Sequence, residues 1–175
     1  MKKLFLALFC LVGLSLFAEV LPSSPPSDIA NNAVDVGDKA PDFMLYDTDG
    51  NQFALSSLRG KYVLLVFWGT WCPPCIRSIP RMKEFYEEFQ HEVEIVGVAI
   101  RERSVEHWRA EVQRLELPWI NVINDDLSAV NRLYQLRGVP TRLLISPDGT
   151  ILLRQAGGTG RNFYNRLERI LRRGR

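Results

Sequence analysis

The chain has few of the side chains that bind metals or cross-link small secreted scaffolds. Its 175 residues include three cysteines and two histidines. Cys10 lies in an apolar run near the N-terminus, so only Cys72 and Cys75 remain for the rest of the chain. Two cysteines cannot complete a four-ligand zinc site, and His91 and His107 belong to different predicted elements. The sequence therefore predicts no metal site, no bound cofactor and no disulfide-stapled scaffold.

An excess of charge is also missing. The chain has 22 basic and 20 acidic residues, and Lys2 and Lys3 account for its formal net charge of +2. The chain beyond these lysines is therefore close to neutral. Nucleic-acid-binding domains carry a basic patch, so we expect no nucleic-acid partner.

Residues 1–18 have the pattern of a targeting segment. Lys2 and Lys3 precede an apolar run over residues 4–17, and Ala18 ends the run with a small side chain. The run is shorter than the roughly 20 residues that span a bilayer. We interpret the segment as a signal peptide cleaved after Ala18, with an uncleaved membrane anchor as the alternative. Both predict export, to the periplasm or to the outer face of the cytoplasmic membrane.

The rest of the chain divides into a linker and one domain. Residues 19–36 are rich in Pro, Ser and Asn, which predicts a flexible linker before a domain at 37–175. A continuous apolar run at 62–68 and a second buried-strand run at 93–100 predict strands buried on both faces of a sheet. Between them, apolar residues at helical spacing predict a helix over about 73–91.

The remaining pattern is that of a mixed α/β domain. Strands at 42–45 and 52–55 flank an Asp49-Gly50 turn and predict an N-terminal β-hairpin. The other predicted elements are helices at 104–117, from 125 or 126 to 136, and 160–172, and strands at 119–123, 141–145 and 151–155. Strands that alternate with helices and end in a hairpin favour a central mixed sheet with helices on both faces.

The segment Cys72-Pro73-Pro74-Cys75 lies where a buried strand ends and a helix begins. The free N–H groups and positive dipole end of a helix favour a thiolate, which is the reactive form of cysteine. We expect Cys72, at the exposed edge of the first turn, to be the nucleophile. Cys75, one turn on, can then attack the mixed disulfide. Pro73 and Pro74 stiffen a turn whose N–H groups have no internal partner. A purely structural disulfide is less favoured, since so short a loop gains little from cross-linking.

The chain resembles thioredoxin-fold proteins of the TlpA/ResA type from about Val36 to the C-terminal helix. The matching segments are Ala40-Pro41-Asp42-Phe43, Leu58-Arg59-Gly60-Lys61, Trp71-Cys72-Pro73-Pro74-Cys75, Pro80 and Gly138-Val139-Pro140-Thr141. The resemblance implies an exported enzyme that reduces disulfides in client proteins, with apocytochrome c before haem attachment as one candidate client. It also implies a membrane thiol transporter of the DsbD/CcdA type as electron donor. We expect a monomer.

The same resemblance assigns roles around the cysteines. Pro140 would be cis and lie beside them, whereas its sequence context alone only places it at the start of a strand. The backbone of Val139, between Gly138 and the Pro140-Thr141 pair, would bind an extended substrate segment. Trp71 would shield one side of the thiolate.

Two carboxylates that are usual in such proteins are missing. Thioredoxin carries an Asp at the position of Val66, and ResA-like proteins carry a Glu at the position of Ser78. Glu102 matches another acidic position of ResA-like proteins and is the remaining candidate proton acceptor. The alternative is that Glu102 is a solvated loop charge.

Three further functions stay open on the sequence alone. A disulfide oxidase or isomerase would use the same cysteines, because direction depends on the reduction potential. A thiol peroxidase shares the fold, but its reactive cysteine has no C-x-x-C partner. A copper-binding chaperone needs wider cysteine spacing and a distant histidine.

Overall fold

The structure is a computed structural model that describes residues 34–124, 129–158 and 160–173. The predicted signal peptide or anchor and all but the end of the predicted linker lie outside the described residues. Within the predicted linker, the carbonyl of Val34 accepts a hydrogen bond from Arg154. No helix in the described ranges is both long and apolar enough to cross a membrane.

Strands and helices alternate along the described chain. The strands are β1 (Met44–Asp47), β2 (Gln52–Ala54), β3 (Tyr62–Trp68), β4 (Val93–Ile100), β5 (Ile120–Asn124), β6 (Thr141–Ile145) and β7 (Ile151–Ala156). The helices are α1 (Pro73–Phe89), α2 (Val105–Arg114), α3 (Ala129–Leu133) and α4 (Arg161–Arg173), and a 3₁₀ turn spans Leu55–Leu58. The predicted bounds of β3, β4 and β6 are confirmed to the residue. The predicted start of α3 at residue 125 or 126 lies outside the described residues.

The strands form one mixed sheet in the order β2-β1-β5-β4-β3-β6-β7. Strands β3, β4 and β5 are parallel, and the flanking pairs are antiparallel. The predicted N-terminal hairpin is confirmed and extends one end of the sheet. Because β3 and β4 run side by side in one direction, their carboxyl ends bring the loops after Trp68 and Ile100 together.

Apolar side chains cover both faces of the sheet. Along β3, Leu64, Val66 and Trp68 belong to one core, and Val63, Leu65 and Phe67 belong to the other. This alternation follows from the two-residue period of a strand. The first core packs against α1, α2 and α4, and the second packs against α3 and the N-terminal segment. Helix layers on both faces bear out the predicted architecture.

Helix α2 shows how its sequence sets its start and end. Ser104 is the N-cap, and its side-chain oxygen accepts a hydrogen bond from the backbone N–H of His107 at 3.1 Å. This confirms the predicted cap. The helix ends at Arg114, short of the predicted 117, and Glu116 adopts a positive φ of 48° that does not continue a right-handed helix.

The entering chain pairs with the outer edge of β7. The N–H of Gly37 donates to the carbonyl of Ile151, and the N–H of Ile151 donates to the carbonyl of Asp38, each at 2.9 Å. Lys39 forms a further antiparallel bridge with Thr150. The segment 37–40 thus occupies the first part of an edge that the sheet would otherwise leave open.

Asp42 connects the start of the hairpin to the 3₁₀ turn. Its Oδ1 accepts hydrogen bonds from the backbone N–H groups of Phe43 and Ser56, both at 2.9 Å. Burial, although slight, acts to raise the pKa of Asp42, but the bonds from Ser56 and Phe43 and the charge of Arg59 outweigh it and hold the pKa below its ordinary value.

We expect Asp42→Ala to lower the free energy of unfolding by about 0.5–1 kcal/mol at neutral pH, because water screens bonds to this exposed carboxylate. The folded pKa lies below the unfolded one, so this contribution is complete above about pH 4 and is lost as pH falls through the folded pKa. Urea unfolding at pH 7 and in acid measures the difference, which should shrink in acid. Asp49→Ala, which removes an exposed turn carboxylate, is the control. An equal loss in both variants would contradict the assignment.

Candidate active site

Cys72 and Cys75 lie at the start of α1, directly after the loop that follows β3. Cys72 is the N-cap of the helix, and Pro73 and Pro74 occupy its first two positions. A disulfide bond joins the two cysteines. The backbone N–H of Cys75 lies 3.3 Å from the sulfur of Cys72, which it faces as a hydrogen-bond donor. The same N–H also donates to the carbonyl of Cys72 at 2.9 Å, so it is shared between this oxygen and the sulfur. An N–H directed at a sulfur at the start of a helix stabilises negative charge, so this geometry fits Cys72 as the cysteine that ionises.

The prediction that Cys72 lies at an exposed edge is wrong for this disulfide-bonded state. Cys72 and Cys75 are each only 3% exposed. The turn before β6 lies against the pair, with the carbonyl oxygen of Val139 3.7 Å from the sulfur of Cys72. The Val139–Pro140 peptide bond is cis, as the resemblance implies.

Thr141 and Gly157 hold the turn from within the fold. The hydroxyl of Thr141 donates to the carbonyl of Gly138 at 2.7 Å, and Thr141 itself is buried. The N–H of Gly157 donates to the carbonyl of Pro140 at 2.7 Å. The side chain of Thr141 thus shapes the turn from behind, which leaves Val139 as the residue that contacts the sulfur.

Glu102 holds the loop in front of Cys72. Its Oε1 accepts the backbone N–H of Thr70 at 2.8 Å, and its Oε2 accepts the Thr70 hydroxyl at 2.5 Å. The parallel pairing of β3 and β4 brings these two loops together. Both carboxylate oxygens accept hydrogen bonds from Thr70, so the geometry supports a structural role. A role for Glu102 as proton acceptor stays a prediction.

Trp71 lies beside the site with a fixed indole. Its Nε1 donates to the carbonyl of Ile100 at 3.0 Å, and 48% of the residue is exposed. The ring covers Gly69, where an added Cβ would lie 2.5 Å from Nε1. Only glycine leaves room for the indole there. These contacts anchor Trp71 at the rim of the site, and its predicted role of shielding the thiolate stays a prediction.

A cavity of about 10 Å³ lies behind Cys75, between α1 and the sheet. Val66 and Ser78 both line it, together with Cys75 and Pro140. The Ser78 hydroxyl donates to the carbonyl of Cys75 at 2.7 Å. The lining contains no acidic side chain. The two sequence departures therefore meet at one place, and Cys75 has no carboxylate there to take its proton.

Sequence reasoning missed Arg142, the residue after Thr141. Arg142 is fully buried on β6, on the same face of the sheet as α1 and the cysteines. Its signal is visible in the sequence as a single charged residue within an apolar strand. Within the described ranges, no group of three or more His, Cys, Asp or Glu side chains is arranged to hold a metal ion.

Comparison with known proteins relates this site to a family. Residues 36–154 match the model of the AhpC/TSA family. Thiol-disulfide oxidoreductase ResA of Bacillus subtilis (strain 168) is 33% identical over 151 residues, which are 85% of this chain and 79% of that protein. ResA of Geobacillus kaustophilus is 42% identical over 122 residues, 68% of each chain.

The fold has a similar counterpart among solved structures. The thioredoxin domain of a thiol-disulfide oxidoreductase from Bacteroides vulgatus superposes with a TM-score of 0.70 at 30% identity, covering 77% of this chain and 96% of that one. The sheet, the helix-capping Cys72 and its partner Cys75 define a thioredoxin-fold thiol–disulfide oxidoreductase, which is an enzyme. The chain belongs to the AhpC/TSA family, and the two ResA proteins named above are thiol-disulfide oxidoreductases to which it is similar.

We expect Glu102→Ala to loosen the loop before Cys72. Loss of two hydrogen bonds to a partly buried carboxylate should lower the free energy of unfolding by about 1–2 kcal/mol and slow insulin reduction in a dithiol-driven assay. Glu102→Gln keeps an acceptor for the Thr70 N–H and should lie between the two. Glu87→Ala, on the solvent face of α1, is the control. Unchanged stability and rate in Glu102→Ala would show that the Thr70 contact does not hold the loop.

Proposed function

We propose that the protein reduces disulfide bonds of exported client proteins, with Cys72 as the attacking thiolate and Cys75 as the resolving thiol. The observation that carries the proposal is the N–H of Cys75 facing the Cys72 sulfur at 3.3 Å. The two cysteines are also placed differently. Cys72 touches the Val139 turn, whereas Cys75 lines the cavity between α1 and the sheet.

The reaction consists of two exchanges. The Cys72 thiolate attacks one sulfur of the client disulfide, forms a mixed disulfide with it, and releases the other client sulfur as a thiolate that takes up a proton. Cys75 then loses its proton and attacks the Cys72 sulfur, which releases the second client thiolate and closes the Cys72–Cys75 disulfide. The client gains two electrons and two protons, and the cysteine pair is oxidised.

The turn that contains Val139, directly before β6, supports binding of an extended client segment. The N–H of Val139 donates to no described residue, and the residue is partly exposed. An extended peptide lying along the turn can accept this N–H and place its own disulfide against Cys72. Trp71, with its indole held at the rim, offers an apolar surface on the other side of the same approach.

The proposal places the protein in the periplasm or on the outer face of the cytoplasmic membrane. The pattern of residues 1–18 supports export, by a cleaved signal peptide or a retained anchor. The TlpA/ResA resemblance supports apocytochrome c as a client and a DsbD/CcdA-type thiol transporter as electron donor. We propose that the enzyme acts as a monomer without a bound cofactor, using only the Cys72–Cys75 pair.

Trapping tests the assignment of the two cysteines. Cys75→Ser leaves the nucleophile but removes the group that resolves the mixed disulfide, so it should accumulate client adducts on non-reducing gels. Cys72→Ser should trap none, because buried Cys75 lacks the helix N–H contact. The double variant is the control. Equal trapping by both single variants would contradict the assignment of Cys72 as the nucleophile.

The reduction potential tests the direction of transfer. Equilibration with a glutathione or dithiol buffer should give a value near that of thioredoxin, about −270 mV, as a reductase requires. A value near about −120 mV would instead assign a disulfide oxidase. Peroxide consumption measured on the same preparation should be negligible, and rapid turnover would favour a thiol peroxidase.

A further inference from the structure

Arg142 is a buried cation that pairs with no acidic side chain in the part of the chain that the structure describes. The residue is 0% exposed. Its Nη1 donates to the carbonyls of Gly157 and Gly158 at 3.3 and 3.4 Å, and its Nε has no hydrogen-bond partner among the described residues. A guanidinium remains charged at every physiological pH. Burying such a charge is unfavourable unless a carboxylate compensates it, so its presence here calls for an explanation.

The charge lies at the cysteine end of the sheet. Arg142 is the direct cross-strand partner of Val66, and Val66 lines the same cavity as Cys75. The guanidinium binds the carbonyl of Gly157, whose N–H donates to the carbonyl of Pro140. Pro140 also lines the cavity. Arg142 thus neighbours two residues of the cavity lining, Val66 directly and Pro140 through Gly157.

The groups around Arg142 do not neutralise it. Gln155 opposes it on β7 and is uncharged. Tyr164 on α4 also interacts with Arg142. Burial raises the pKa of Tyr164, and the positive charge of Arg142 partly opposes this rise. Arg81 on α1 also interacts electrostatically with Tyr164, and Arg81 is a second cation. Arg81 pairs with Glu168 and Glu84, so these two carboxylates compensate Arg81.

We propose that Arg142 raises the reduction potential of the Cys72–Cys75 pair by stabilising the thiolate of its reduced form. The inference rests on the proposed function. The disulfide is neutral, and its reduction by a dithiol adds two electrons and two protons, of which one is released as the thiolate forms. Only the thiolate is attracted to a nearby cation, so Arg142 favours the reduced state.

This role has two consequences for catalysis. More of the reduced enzyme carries the thiolate at neutral pH, so attack on a client disulfide is faster. The same stabilisation makes the pair a weaker reductant. Because the cavity lining contains no carboxylate, the buried charge that acts on the cysteine pair is the positive charge of Arg142.

Substitutions of Arg142 distinguish the effect of its charge from the effect of its side-chain geometry. In Arg142→Met, the equilibrium constant against a reference dithiol should shift about tenfold toward the disulfide, which equals about 30 mV for two electrons. The pH midpoint for alkylation of Cys72 should rise by about one unit, at the lower end of the effect of a nearby charge. Arg142→Lys keeps the charge and should stay near the unaltered protein in both measurements.

Arg154→Met is the matched control. Arg154 is a partly buried arginine whose guanidinium also binds backbone carbonyls, those of Val34 and Tyr134. Its removal should leave the potential and the alkylation profile unchanged. A folded Arg142→Met variant with unaltered potential would overturn the inference. Equal shifts in Arg142→Met and Arg142→Lys would overturn it too, because the guanidinium geometry would then matter instead of the charge.

Salt provides a test that needs no variant. At about 1 M NaCl the screening length is about 3 Å, so exposed charges such as Arg77 lose their effect and a buried charge keeps it. The potential of the unaltered protein should not change between low and high salt. A shift toward the disulfide at high salt would assign the effect to surface charges and overturn the inference. A cysteine pair that exchanges with no dithiol would instead refute the proposed function itself.

Discussion

The contact between the N–H of Cys75 and the sulfur of Cys72 is the interaction on which the chemistry depends. It exists because β3 ends, the chain turns, and α1 begins within a few residues. The helix keeps its direction because its apolar stripe, including Ile79, Met82 and Phe85, is buried against the sheet. Packing far from the sulfur thus holds the N–H in place before any reaction. This preorganisation is what distinguishes a reactive cysteine pair from a structural cross-link.

The surroundings of the pair come from neighbouring strands of the sheet. The loop after β4 supplies Glu102, which binds Thr70, and the turn before β6 supplies Val139, which touches the Cys72 sulfur. Behind Cys75 the walls are apolar or neutral, and the buried charge adjacent to them is Arg142. The cavity beside Cys75 therefore has no acidic residue in its lining, and the charge that borders it is that of a cation.

The elements predicted most accurately from the sequence are those buried along almost their whole length. Strand β3 is a continuous apolar run between Gly60-Lys61 and Gly69, and β4 is apolar apart from Glu94 and Gly97, so the bounds of both could be predicted to the residue. The burial of Cys72 could not be predicted, because Val139, the residue that lies against its sulfur, is 67 positions away in the chain. The partner of Glu102 is likewise 32 positions away. Arg142 was visible as a charge in an apolar strand, but only the fold shows that it borders the site.

The pairing of residues 37–40 with β7 has a consequence for handling the protein. A sheet can take up strands of other molecules at its two outer edges. At one edge β2 offers only three residues. At the other, Gly37 and Asp38 already occupy the backbone groups of Ile151. A recombinant fragment that starts at Ala40 would expose this edge and aggregate more readily on concentration, so a truncated version should retain the chain from Val34 onward.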